Sequence, residues 1–209
     1  MHLFAAIFVA LPFVYLAAIY GDLPERVPIH FDWRGQPDGY GPKAVLWLLP
    51  TFCIPLVLVS LASLRKRSQT TGVTPKQRTL SLITLVFISL LVCYILYSAA
   101  EGGAINLGVF SILMGVFFAA LGNYMPVLPP NRWMGFRIPA TLNSPYKWRK
   151  THQLAGVCYL LGGVALVLNG LLLPVPAVGI GLIAIIILIS LIPLVYALTL
   201  RVPPTDDLV

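Results

Sequence analysis

Apolar residues run along this chain in long, nearly unbroken stretches, and charged residues gather in the gaps between them. Crossing a bilayer core of about 30 Å takes a helix of roughly 20 mostly apolar residues. Six stretches approach or exceed that length: approximately Leu3 to Tyr20, Ala44 to Leu64, Thr79 to Ala100, Ile105 to Val127, His152 to Leu173 and Val175 to Leu200. Backbone polar groups inside a bilayer must be satisfied within their own segment, so each stretch predicts a membrane-spanning helix. The pattern therefore predicts an all-α integral membrane protein of about six transmembrane helices. An N-terminal helix pair over 1–64 encloses a connection at 21–43, a basic linker occupies 65–78, and a four-helix region over 79–209 contains a connection at 127–151. The first stretch has no Lys or Arg ahead of its apolar run and no small-x-small cleavage site behind it, so it reads as a retained helix rather than a signal peptide.

Composition closes off the soluble alternative. With 209 residues, 58% of them hydrophobic and 10% charged, the chain has too little polar surface to solvate a globule of its size. The formal net charge of +7 is explained by where the charges fall. Arg65, Lys66, Arg67, Lys76 and Arg78 lie in the second connection, Arg132, Arg137, Lys147, Arg149 and Lys150 in or beside the fourth, and Arg201 after the last stretch. That places eleven of the 14 basic residues on one side, against Arg26, Arg34 and Lys43 in the first connection, where Asp22, Glu25, Asp32 and Asp38 accompany them. The positive-inside rule then puts both termini in the cytoplasm and makes 21–43 a short extracytoplasmic cap. The bilayer is the partner this charge pattern implies, with no direct nucleic-acid contact, and a bacterial cytoplasmic membrane is the expected location. Cys53, Cys93 and Cys158 fall inside apolar stretches, where a thiol behaves as a small hydrophobe, so no disulfide, metal site or cofactor is expected.

Packing is written in glycine. Lipid offers no hydrophobic force between helices, so close approach depends on small residues. Gly108, Gly115 and Gly122 recur at seven-residue spacing in the fourth stretch, and Gly156, Gly163 and Gly170 repeat the device in the fifth. Seven residues make nearly two whole helical turns, so each set forms a continuous groove predicted to meet another helix, or the other groove, at close range.

Two connections carry the remaining information. In the first, Val27, Ile29, Phe31 and Trp33 alternate with Pro28, His30, Asp32 and Arg34, which predicts an extended segment with its large apolar side chains on one face and a His30–Asp32 pair on the other. The following Gly35-Gln36-Pro37-Asp38-Gly39 is turn chemistry, so the cap is compact. In the fourth connection, Ser144 followed by Pro145 predicts a helix start, and it places Trp148 and His152 on one helical face. Anchoring at the interface accounts for the Trp and Lys residues there, but Asn131, Gly135, Arg137 and Thr141-Leu142-Asn143 read as an ordered, hydrogen-bonded loop.

These two loops resemble the SdpI-like bacterial membrane proteins that carry an N-terminal extracytoplasmic conserved domain. The resemblance rests on Leu23, Pro24, Pro28, His30, Phe31, Gly35, Asp38, Tyr40 and Lys43 in the first loop. In the second it rests on Gly122-Asn123, Asn131, Gly135, Arg137, Pro139, Thr141-Leu142, Trp148, Thr151-His152 and Gly156. The chain departs from the pattern at Ala140, where the family usually has Trp. The resemblance implies immunity to a secreted antimicrobial peptide toxin, together with signalling through capture of a cytoplasmic transcriptional repressor. The expected toxin-binding residues are His30, Phe31, Asp32, Trp33, Gly35, Asp38, Tyr40 and Lys43. The expected partner-docking residues are Asn123, Asn131, Gly135, Arg137, Thr141, Trp148 and His152. Two alternatives stand beside this reading. A small-molecule or ion transporter normally carries ionisable residues near its span centres, which this chain lacks. An interface enzyme using the 122–156 segment would rely on His152 without a second His, a paired carboxylate or a nucleophile motif, so no enzymatic activity is expected.

Overall fold

The computed structural model describes residues 2–55, 75–131 and 134–203. Helix α1 (His2–Ile19) leads into a hairpin of β1 (Arg26–Phe31) and β2 (Pro37–Pro42), then a 3-10 turn (Lys43–Trp47) and the short α2 (Leu48–Thr51). The long helices follow: α3 (Pro75–Ala100), α4 (Leu107–Tyr124), the one-turn α5 (Pro139–Leu142), α6 (Pro145–Leu172) and α7 (Ala177–Thr199). Among the described residues four segments are long and apolar enough to cross a membrane: Thr79–Ala100, Leu107–Val127, Pro145–Leu172 and Ala177–Thr199. The first predicted span is a shorter apolar helix, Leu3–Ile19. The second is described only as the apolar helical segment Lys43–Pro55, and the rest of it, with most of the basic linker, lies outside the described residues.

The two glycine grooves meet each other. A Cβ added to Gly108 would lie 2.9 Å from the Gly170 carbonyl oxygen, one on Gly115 would lie 2.6 Å from that of Gly163, and one on Gly122 would lie 2.7 Å from that of Gly156. Three matched pairs at seven-residue steps hold α4 and α6 antiparallel and in backbone contact, an approach that any larger side chain would block. Beside this seam Ser111 Oγ donates to the Leu166 carbonyl at 2.7 Å, and Asn169 Nδ2 donates to Ser111 Oγ at 3.1 Å and to the Val178 carbonyl at 3.0 Å. Asn169 thereby joins α4, α6 and α7 where neighbouring side chains are apolar and a hydrogen bond has no competing water.

The all-helical expectation needs one correction, because the cap contains a β-hairpin. The strands pair antiparallel, with Val27 opposite Gly41, Pro28 opposite Tyr40 and His30 opposite Gly39. Register shifts on either side of His30 break the strict alternation, so the four large apolar side chains do not share a buried face. Val27 is fully buried, whereas Ile29 is 52% and Trp33 43% exposed. Val27 joins Leu16, Leu23, Leu46, Val92, Leu96 and Ala99 in a core cluster that ties the hairpin base to α1 and α3.

Candidate functional site

The residues singled out in the two loops lie at opposite ends of the helix bundle. At the cap end, the hairpin contacts the α3–α4 and α6–α7 regions, so the first, third and fifth connections share that end. The Gly35 carbonyl accepts the Ile105 N–H at 2.8 Å, a Cβ on Gly35 would lie 2.3 Å from the Ile105 carbonyl oxygen, and Gly179 abuts the Trp33 carbonyl.

His30 is paired differently from its expected arrangement. Its Nδ1 lies 2.5 Å from Asp38 Oδ1 across the hairpin, with the two side chains 73% and 50% exposed. Asp32 instead folds back on its own turn and accepts the N–H groups of Arg34 at 2.8 Å and Gln36 at 2.9 Å. The irregular register rotates His30 towards β2, and the Asx-type turn captures Asp32; together they separate the two residues expected to pair. Lys43 is a brace at the hairpin base: Nζ meets Glu25 at 3.0 Å, donates to the Leu23 carbonyl at 3.3 Å and lies 5.1 Å from the centre of the Tyr20 ring. Phe31 is half-buried and Gly35 buried, so of the residues expected to bind a ligand His30, Trp33, Asp38 and Tyr40 are exposed, beside the exposed charges of Asp22, Glu25, Arg26 and Arg34.

At the other end, a folded loop closes over the start of α6. Ser144 caps the helix by accepting the Lys147 N–H at 3.2 Å, with Pro145 in the first turn. One and two turns further on, Trp148 and His152 are buried and stack at 4.1 Å with 19° between their planes. Trp148 Nε1 donates to the Leu128 carbonyl at 2.8 Å. His152 Nε2 accepts the Phe136 N–H at 3.1 Å, and Nδ1 faces the Trp148 carbonyl at 2.8 Å. A donor N–H facing Nε2 and an accepting carbonyl facing Nδ1 together fix a neutral ring protonated on Nδ1.

Gly135 makes this contact possible. Its φ is +97°, and a Cβ there would lie 2.1 Å from His152 Nε2, so both the backbone conformation and the space exclude a side chain. Thr141, fully buried in α5, donates through Oγ1 to the Phe136 carbonyl at 2.5 Å, and Asn131 Oδ1 accepts the Met134 N–H at 2.8 Å. Leu80, Met125, Leu128 and Ala155 form the apolar floor, with Met134, Phe136 and Tyr159 packed against it. Of the residues expected to dock a partner, Gly135, Thr141, Trp148, His152 and Asn131 thus build the loop from within, while Asn123 and Arg137 are exposed.

Sequence reasoning passed over Phe136, whose backbone N–H and carbonyl receive His152 and Thr141. A backbone group leaves no trace in the identity of its side chain. Ser111 was likewise missed, although a hydroxyl on the same helical face as the glycines is a readable signal. An apolar groove of about 370 Å³ also opens between α1, α3 and α4, lined by Phe4, Val86, Phe87, Val116 and Phe117 among others.

Comparison with known proteins matches the two ends separately. Residues 127–197 match the SdpI/YfhL protein family, and residues 7–54 match a domain of unknown function, DUF1648. No curated protein and no solved structure matches the chain. The first match contains the loop-end assembly and nearly all of the last two long helices, and the second contains the hairpin cap; with four helices long and apolar enough to cross a membrane among the described residues, the two matches support SdpI-like family membership for a multi-pass membrane protein.

Proposed function

We propose that this chain is an immunity protein of the bacterial cytoplasmic membrane, protecting the cell from a secreted antimicrobial peptide through its cap and reporting the encounter through its inner loop. The observation that carries this reading is the division of labour between the two ends. The cap offers exposed and chemically mixed groups, with the His30–Asp38 pair beside Tyr40, Trp33 and Arg34. Aromatic rings next to charged groups suit an amphipathic peptide, because each contributes a large contact area at little conformational cost. The loop end is built as a braced platform whose outward groups, Arg137 and the basic residues of the first turns of α6, suit an acidic partner such as a repressor. With both cytoplasmic termini, the bundle spans six times and the cap faces outward. Both ring nitrogens of His152 are engaged, which supports a scaffolding role for it rather than catalysis.

Expression in toxin-sensitive cells tests the reading. The intact chain is expected to protect. Asp38→Ala should abolish protection at unchanged membrane abundance, and Arg137→Ala should retain protection while losing any repressor recruitment. Equal killing with and without the intact chain, at confirmed membrane abundance, would overturn the immunity role.

A further inference from the structure

The hairpin lies across the cap end rather than standing up from it. Its base is buried with Leu16 of α1 and Val92 and Leu96 of α3. Its middle rests on the α3–α4 connection, where a Cβ on Gly103 would lie 2.7 Å from Pro28. Its tip reaches the start of α4 and of α7: the Gly35 carbonyl accepts the Ile105 N–H just ahead of α4, Gly35 lies against Leu107, and the Trp33 carbonyl approaches Gly179. Gly179 is the third residue of α7, so Trp33 sits at the depth where that apolar helix begins.

Each end of this strap carries aromatic rings beside a cation. At the tip the Arg34 guanidinium stands 4.7 Å from the centre of the exposed Trp33 ring. At the base Lys43 lies over Tyr20, which is 5.6 Å from Trp47, itself 36% exposed. Trp and Tyr concentrate at the boundary of a bilayer because an apolar body and a polar edge suit that layer, while Lys and Arg beside them reach the phosphates. The exposed flank of α7 starts next to the tip contact, at Ile180, and continues through Ile183, Ile187 and Leu191. The tip is therefore continuous with a surface that faces lipid tails.

We propose that the hairpin is seated in the headgroup layer of the leaflet at the cap end and lies in its plane. Trp33 with Arg34 at the tip, and Trp47 with Tyr20 beside the Lys43–Glu25 pair at the base, are its two anchors, and phospholipid headgroups are their ligand. The seat would present the His30–Asp38 pair at the membrane surface. It depends neither on which compartment the cap faces nor on the immunity role, so either can fail without the other.

The full chain in nanodiscs of phosphatidylcholine, brominated either near the headgroup end of the acyl chains or near their termini, provides the test. Tryptophan emission is compared for the unmodified chain, Trp33→Phe and Trp47→Phe, with aqueous iodide as a second quencher. Shallow bromines should quench more than deep ones, and each variant should lose part of the shallow-quenched emission while iodide quenching stays nearly constant. A spin label on Trp33→Cys gives an independent reading and should be more accessible to oxygen than to a water-soluble nickel chelate. Loss of iodide-quenchable emission in Trp33→Phe with shallow-bromine quenching unchanged, or a label relaxed mainly by nickel, would place the tip in water and overturn the proposal.

Discussion

His152 shows how a single ring can organise a loop. Its two nitrogens join the backbone of α6 to the backbone at Phe136, and its plane lies on Trp148. His152→Ala leaves the part-buried Phe136 N–H without its acceptor, at a cost of at most about 1–3 kcal/mol, the range for a fully buried donor. The expected outcome is a lower unfolding temperature in detergent and faster tryptic cleavage after Arg137. Gly135→Ala should do the same, since its methyl group would occupy the space of His152 Nε2. The His30–Asp38 pair is the contrasting case. With both side chains at least half exposed, Asp38→Asn should change stability by less than about 1 kcal/mol, because water competes for the same groups. Thermal unfolding of Asp38→Asn against the intact chain checks this. A large loss would mean that the pair holds the hairpin together.

Helices α4 and α6 behave as one element because three glycine pairs bring their backbones together. Gly115→Leu and Gly163→Leu each force the helices apart, and overpacking of this kind costs typically about 1–3 kcal/mol. Both should unfold at clearly lower denaturant in micelles, while Gly21→Ala, with nothing within 4 Å of the added methyl, should match the intact chain. Asn169→Leu removes hydrogen bonds to Ser111 and Val178 and should weaken the attachment of α7 by roughly 0.6–2 kcal/mol, read in the same unfolding series. The seven-residue repeat made the seam legible in the sequence, since its spacing alone places the glycines on one face. The hairpin was only half legible. Alternation pointed to an extended segment and Gly35-Gln36-Pro37-Asp38-Gly39 to a turn, but the register shifts around His30 arise from pairing between strands. No pattern within one strand could assign its partner to Asp38 instead of Asp32. The loop end was legible as ordered through Asn131, Gly135 and Thr141, yet its centre at Phe136 is backbone chemistry.

For the whole molecule, the arrangement along the bundle axis matters most. The hairpin, the α3–α4 connection and the start of α7 meet at one end, and the braced loop with the start of α6 occupies the other. Apolar stretches and basic connections predicted that separation, because charge bias acts on the side of the membrane and not on the fold. In the proposed function the two ends face different compartments, and a peptide met at one is reported at the other only through the bundle between them. Cysteine labelling in intact cells tests this most directly, in a background with Cys53, Cys93 and Cys158 replaced by serine or alanine. A membrane-impermeant maleimide should label Asp38→Cys in intact cells, and should label Arg137→Cys only after the cells are opened. Labelling of both positions in intact cells, or of neither until lysis, would contradict the account.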